Sequence, residues 1–285
     1  MIELSTDAPA SNDRDTLRQL HETARRIRGS IYTTITGARG GHMPSALSIV
    51  DILTVLYSEV LRVDPERPDD PDRDRFVLSK GHGCVALYAV LARLGFIAPA
   101  HLETFGRKGS ILGGHPDMHK IPGVEASTGA LGHGLSFACG MALAAKMDGR
   151  PYRTVVLLGD GECQEGSVWE AALFAAHVAL DNLSCIVDYN KLQAMDRLEK
   201  IVALSPMAEK WRAFGWSVAE IDGNDIGALR QTLSRFPFEQ NRPSLVVAHT
   251  MKGKGISFME QVPIWHYRMP NETEDRQARD ELGLP

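Results

Sequence analysis

Five short strand-like runs, apolar on consecutive positions in all but the fourth, are separated by longer stretches that read as helices. The runs fall at 75–79 (RFVLS), 154–158 (TVVLL), 183–189 (LSCIVDY), 216–221 (WSVAEI) and 244–249 (SLVVAH). Apolar residues on consecutive rather than alternate positions mark strands covered on both faces, as in a parallel sheet. The stretches between them predict helices at about 13–36, 47–61, 84–94, 135–146, 166–179, 206–214 and 225–236. In the first of these, Leu17, Leu20, Ala24, Ile27 and Ile31 mark one face. Strands alternating with helices predict an α/β fold with a mostly parallel central sheet and helices on both faces. The chain divides into a polar, flexible start (1–12), one large domain (13–270) and a charged C-terminal tail (271–285).

The ends of the second and third apolar runs carry the first chemistry. One run ends in Gly159-Asp160-Gly161, the next in Asn190, with a single predicted helix between them. A right-handed crossover brings both strand ends to the same sheet edge. In open α/β sheets that edge binds ligands. Asp160 and Asn190 offer hard oxygen ligands, which suit Mg²⁺ better than zinc or iron, and a backbone carbonyl just beyond, such as that of Leu192, would complete the protein's share.

Glycine-rich turns recur upstream, each holding a histidine. They are GARGGHMPS around His42, KGHG around His82, GGHPD around His115, and STGALGHG, which contains Gly129, Leu131 and His133. Glycine permits close backbone approach to a ligand. A helix N-terminus supplies unpaired N–H groups for an anion. Each turn alone reads as an ordinary tight loop; four of them beside an Asp/Asn pair point to Mg²⁺ bridging the protein to a diphosphate. His101 and His119 lack such settings and read as surface residues. Lys252 and Lys254, in the late Lys/Gly loop, read as solvated.

Composition narrows the class. A net charge of −5 gives no electrostatic case for nucleic acid. No apolar run reaches membrane-spanning length, and the acidic start is not a targeting segment. The four cysteines show no CxxC spacing, which fits reduced thiols and a cytoplasmic protein.

Taken together, GGHMPSALSIVDIL, SKGHG, GGHPD, STGALGHG and GDGECQEG followed by Asn190 resemble the transketolase family, over about residues 14–270. The match is to the N-terminal, diphosphate-binding domain, as in the N-terminal subunit of a split transketolase. The resemblance implies thiamine diphosphate (ThDP) with Mg²⁺ (or Ca²⁺ or Mn²⁺) held by Asp160, Asn190 and the Leu192 carbonyl. It implies Gly161 against the diphosphate, His82 and His266 flanking it, and Gly129 and Leu131 on the cofactor's rings. His42, His115 and His266 become catalytic, with His42 and His115 facing sugar hydroxyls. Glu165 and Glu170, which by themselves read as favourable charges near a helix N-terminus, become acids of a relay across a subunit interface.

The implied reaction is reversible transfer of a two-carbon ketol unit from a ketose phosphate to an aldose phosphate. The glutamate that activates ThDP belongs, in this family, to a pyrimidine-binding domain for which the chain shows no counterpart. The expectation is therefore a C-terminal partner subunit carrying that domain, in an α2β2 heterotetramer, without which the chain is inactive. Two rivals remain: the α subunit of a 2-oxo-acid dehydrogenase, and a non-catalytic ThDP-binding paralogue. Departures from the family pattern are His133 for its Gln, Ala130 for its Pro, Asp117 for its Glu, and the KLQAMD loop after Asn190.

Overall fold

The computed structural model describes residues 11–194 and 196–285. Residues 1–10, most of the segment read as a flexible start, lie outside them. Five strands form one sheet in the order β1-β2-β3-β5-β4: β1 Arg75–Leu78, β2 Thr154–Gly159, β3 Leu183–Tyr189, β4 Ser217–Asp222 and β5 Ser244–His249. Every neighbouring pair is parallel. β2, β3 and nearly all of β5 are buried along their length, as expected when helices cover both faces.

The pleat divides the core in two. Phe76, Leu78, Val155, Leu157, Ile186 and Val246 point to one face, where they join the Ser11–Ala38, Val50–Val55, Cys84–Leu94 and Ile226–Leu233 helices. Val77, Val156, Leu158, Cys185, Val187 and Leu245 point to the other, against the Gly134–Met147, Gly166–His177 and Met207–Ala213 helices. All four cysteines are buried free thiols. Among the described residues no helix is long and apolar enough to cross a membrane.

Two elements depart from the hydrophobic pattern. The single helix expected over 47–61 is three pieces: Met43–Leu47, Val50–Val55 and a wider π turn, Leu56–Val60. Most of this stretch is buried on all sides, so apolar spacing carries no mark of a break. The break sits beside Ser48, whose hydroxyl reaches Asp188 at 2.8 Å. The stretch set apart as a charged tail contains a helix, Glu272–Leu282, opened by a capping box between Asn271 and Glu274 and closed by left-handed Gly283. Its Ala278 and Leu282 are buried, Tyr32 donates to Asp275 at 2.7 Å, and Arg25 donates to the Leu282 carbonyl at 2.8 Å. Ala278 and Leu282 are also its only apolar side chains, too few for periodicity to reveal a helix.

Candidate active site

Four strands that are consecutive in the sheet end at one edge and deliver the polar groups. β1 runs into Ser79-Lys80-Gly81-His82, β2 into Asp160, β3 into Asn190, and β5 into Thr250 and Lys252. The parallel register sets Gly159 opposite Asp188, so Asp160 and Asn190 leave adjacent strands one or two residues later. A cleft of about 600 Å³ opens there, lined by Asp160, Gly161, Asn190, Leu192 and Lys252. His42, His82, His115, His266, Gly129, Leu131 and Glu165 line it too, so all but one of the site residues expected from sequence converge. The exception is Glu170, which is exposed on the Gly166–His177 helix and does not line the cleft.

The Asp160 carboxylate is held by backbone. It accepts from Gly161 N–H at 2.7 Å and from Lys191 N–H at 2.5 Å. Burial, with the charge of Asp188 behind it, pushes its pKa up to about 7 against those two hydrogen bonds. Lys191 reaches its position with φ +65°, a left-handed conformation. Asn190 donates from Nδ2 to Asp188 at 3.0 Å, and its Oδ1 accepts from Leu192 N–H at 3.1 Å.

Beneath these residues is a buried layer that sequence reading missed. Lys80 Nζ pairs with Asp188 Oδ2 at 2.5 Å, and both side chains are shut off from solvent. Asp188 also accepts from Ser48, Thr250 and Asn190. Burial works against its ionisation, but Lys80 outweighs it and holds the carboxyl below the usual carboxylate range. Glu162, inside GDGECQEG, accepts from Ser79 Oγ, from Gly132 N–H at 2.9 Å and from Gly159 N–H at 3.0 Å. It ties the Gly129–Gly132 turn to the ends of β1 and β2. Two signals were readable: an acid in the otherwise apolar run of β3, and a lysine at the end of β1. Lys252 corrects the reading of its loop as solvated. It is buried, lines the cleft and donates to the Leu192 carbonyl at 3.1 Å. Burial, reinforced by Lys80, lowers its pKa to about 8.

The histidines form one wall. The His42 ring lies 5.5 Å from His82 and 5.2 Å from His266, and Tyr267 packs edge-on against both His42 and His266. The His115 ring covers Gly129, where a Cβ would stand 3.1 Å from it and where φ is +145°; only glycine fits. Burial, helped by Lys80, lowers the His82 pKa to about 2. Burial, helped by Lys252, lowers His266 to about 4. Burial also lowers His42. These rings are neutral near pH 7, each able to donate on one nitrogen and accept on the other. A second cavity of about 430 Å³ adjoins the cleft across His42, His82 and His115.

The donors left over describe what the cleft fits. Ser45 Oγ, Gln193 Nε2 and His266 Nδ1 are buried, line it and have no hydrogen-bond partner. Buried polar atoms without partners are costly. Three around one cleft, beside buried Lys252, suit a ligand rich in anionic oxygens. Asp160, also buried and raised in pKa, is favoured in its ionised form by a nearby cation. A divalent metal bridging Asp160 and Asn190 to a diphosphate meets both requirements. Among the described residues no group of three His, Cys, Asp or Glu side chains forms a metal site; the proposed ligands are one carboxylate, one amide and one backbone carbonyl, the last shared with Lys252.

Residues 20–285 match the Transketolase_N family, "Transketolase, thiamine diphosphate binding domain". The chain is 44% identical over 246 residues to one subunit of the apulose-4-phosphate transketolase of Phocaeicola vulgatus, covering 86% of this chain and 87% of that one. It is 44% identical over 220 residues to the 6-deoxy-6-sulfo-D-fructose transketolase subunit SqwG of Clostridium sp. MSTE9, covering 77% and 80%. The transketolase of Leishmania mexicana superposes with a TM-score of 0.86 at 30% identity, over 93% of this chain and 41% of that one.

Proposed function

The chain belongs to the transketolase family, through its thiamine diphosphate-binding domain, and from that premise we propose that it is the cofactor-anchoring subunit of a two-component enzyme moving a two-carbon ketol unit from a ketose to an aldose. The observation that carries this reading is the junction of Asp160 and Asn190 at adjacent strand ends with His42, His82, His115 and His266 lining the same cleft. Relatives of similar length are named as transketolase subunits, which favours this reading over a 2-oxo-acid dehydrogenase.

Asp160, Asn190 and the Leu192 carbonyl would hold Mg²⁺, with Lys252, Ser45 and His266 donating to the anionic oxygens. Bound ThDP supplies the electron sink for cleaving and forming the ketose carbon–carbon bond. His42 and His115 hold sugar hydroxyls and move protons at the substrate oxygens, roles suited to imidazole. Glu165, at the mouth of the cleft, meets the partner subunit, and Glu170 extends that contact. The partner carries the pyrimidine-binding domain and completes an α2β2 assembly in the cytoplasm. Relatives of similar length are named for a sugar phosphate and for a sulfonated sugar. For this chain we take the substrates to be ketoses and aldoses with an anionic group remote from the transferred carbons.

The test is reconstitution. The chain mixed with its pyrimidine-domain partner, ThDP and Mg²⁺ should transfer ketol units between sugar phosphates, and neither chain alone should do so. Oxidative decarboxylation of a 2-oxo acid, or an assembled but inert complex, would overturn the reading.

A further inference from the structure

Gln193 has a placement that its own chain does not explain. It lies in a turn closed by backbone bonds: Leu192 bridges to Arg197, Gln193 N–H donates to the Asp196 carbonyl at 2.9 Å, and Leu198 N–H donates to the Lys191 carbonyl at 2.9 Å. The turn lays the Gln193 carboxamide on Gly161. A Cβ at Gly161 would stand 3.0 Å from Nε2 and 3.1 Å from Cδ. The space over Gly161, expected from sequence to lie against a diphosphate, is therefore covered by this side chain. Nε2 is shut off from solvent and has no acceptor, yet the residue lines the cleft beside Asp160 and Asn190.

An amide donor held in a closed turn, without solvent or partner, is unfavourable in the free protein. That cost is offset when a ligand brings an acceptor. The cleft's other unpartnered donor groups, Ser45 Oγ and His266 Nδ1, and the ammonium of Lys252 face the same space. Gln193 Nε2 makes no hydrogen bond to Asp160, whose two oxygens accept from Gly161 N–H and Lys191 N–H. We infer that Gln193 is a diphosphate-binding residue: its Nε2 donates to an anionic diphosphate oxygen and sets how far that group approaches Gly161. This rests on the ThDP reading above, and adds to it a ligand from the loop where the sequence departs from the family pattern.

The test is binding of Mg²⁺-pyrophosphate to the full chain by titration calorimetry, with melting temperatures of the free chain measured alongside. Gln193→Leu keeps the volume over Gly161 and removes the donor. It should bind roughly tenfold more weakly, as expected for one hydrogen bond to a charged group, while the free chain melts at the same or a higher temperature. Gln193→Glu sets a negative charge against the anion and should bind more weakly still. Unchanged affinity in Gln193→Leu overturns the inference and leaves the ThDP reading standing. Weaker binding accompanied by a lower melting temperature in the free chain assigns Gln193 a packing role and also overturns it. If the wild-type chain binds no Mg²⁺-pyrophosphate, the reading on which the inference rests has failed, and the inference with it.

Discussion

Lys80 Nζ lies 2.5 Å from Asp188 Oδ2 in a layer closed to water, and the same carboxylate oxygen accepts the Asn190 amide. The pair thereby fixes which way the Asn190 amide points: nitrogen toward Asp188, oxygen toward Leu192 N–H and the cleft. Removing one member of a buried pair leaves the other uncompensated, at a cost of about 3–5 kcal/mol. Lys80→Met should therefore lower the denaturation midpoint sharply. Asp188→Asn in the same chain should recover part of the loss, because the stranded charge is gone. Strictly additive effects in the double variant would show that the two residues do not act as a pair.

Glu162 is a second buried acid whose role is to position a turn. Its three acceptor contacts hold Ser79, Gly132 and Gly159, and through Gly132 the loop that carries Gly129 and Leu131. Burial raises its pKa against these bonds. Glu162→Leu leaves two buried backbone N–H groups without acceptors, at about 1–3 kcal/mol each. We expect lower stability and at least tenfold weaker ThDP binding, whereas Glu162→Gln, which keeps one acceptor oxygen, should fall between. The comparison is made by thermal melts and cofactor titration of the three proteins. Equal melts for Leu and wild type would refute the bracing role.

Asp74 provides a pH test far from the cleft. Its side chain is wholly buried and accepts from Arg62 N–H at 3.0 Å, Arg62 Nη2 at 2.9 Å, Arg153 N–H at 2.8 Å and Arg153 Nη2 at 2.7 Å. Burial alone would raise its pKa, but the hydrogen bonds from Arg62 and Arg153 prevail and hold it below the ordinary value. The native state then binds fewer protons than the unfolded chain in the acid range. The carboxylate's contribution is full above about pH 4 and is lost as the pH falls through the native value. Asp74→Asn should cost about 2 kcal/mol at pH 7, toward the lower end for charged hydrogen bonds because Arg62 is largely exposed. The gap between the two proteins should close below about pH 4 in denaturant titrations. A gap independent of pH would rule out the ionised carboxylate as its source.

The sheet, its parallel sense and the meeting of Asp160 with Asn190 were legible because consecutive apolar runs and strand-end residues follow directly from burial on two faces. The histidine wall was legible because each upstream imidazole sits in a glycine turn. What sequence concealed lies in partners distant along the chain. Lys80 and Asp188 are 108 residues apart and Glu162 and Ser79 are 83 apart; neither pair leaves a local pattern. Lys252 looked solvated because a Lys/Gly loop normally is, and only the position of β5 beside β3 carries it under the Leu192 carbonyl. The Glu272–Leu282 helix was hidden because it buries only Ala278 and Leu282, leaving its caps as the sole signal.

Asp160 and His115 line one cleft in different settings, Asp160 at the strand ends and His115 at the adjoining cavity, so their loss should separate binding from turnover. Asp160 lies at the metal end, between the ends of β2 and β3, where its oxygens are held by the Gly161 and Lys191 backbone. His115 covers Gly129 and lines both the cleft and the cavity beyond it. In the assembled enzyme Asp160→Ala should abolish Mg²⁺-dependent ThDP binding, seen as loss of saturable cofactor titration. His115→Ala should leave ThDP affinity within about threefold and lower sugar turnover by about 10²-fold or more, the range for a general acid–base or positioning imidazole. Steady-state kinetics at saturating ThDP distinguish the two. Intact cofactor binding in Asp160→Ala would remove the metal assignment. A His115→Ala enzyme impaired only in cofactor affinity would move that histidine from the sugar to the diphosphate.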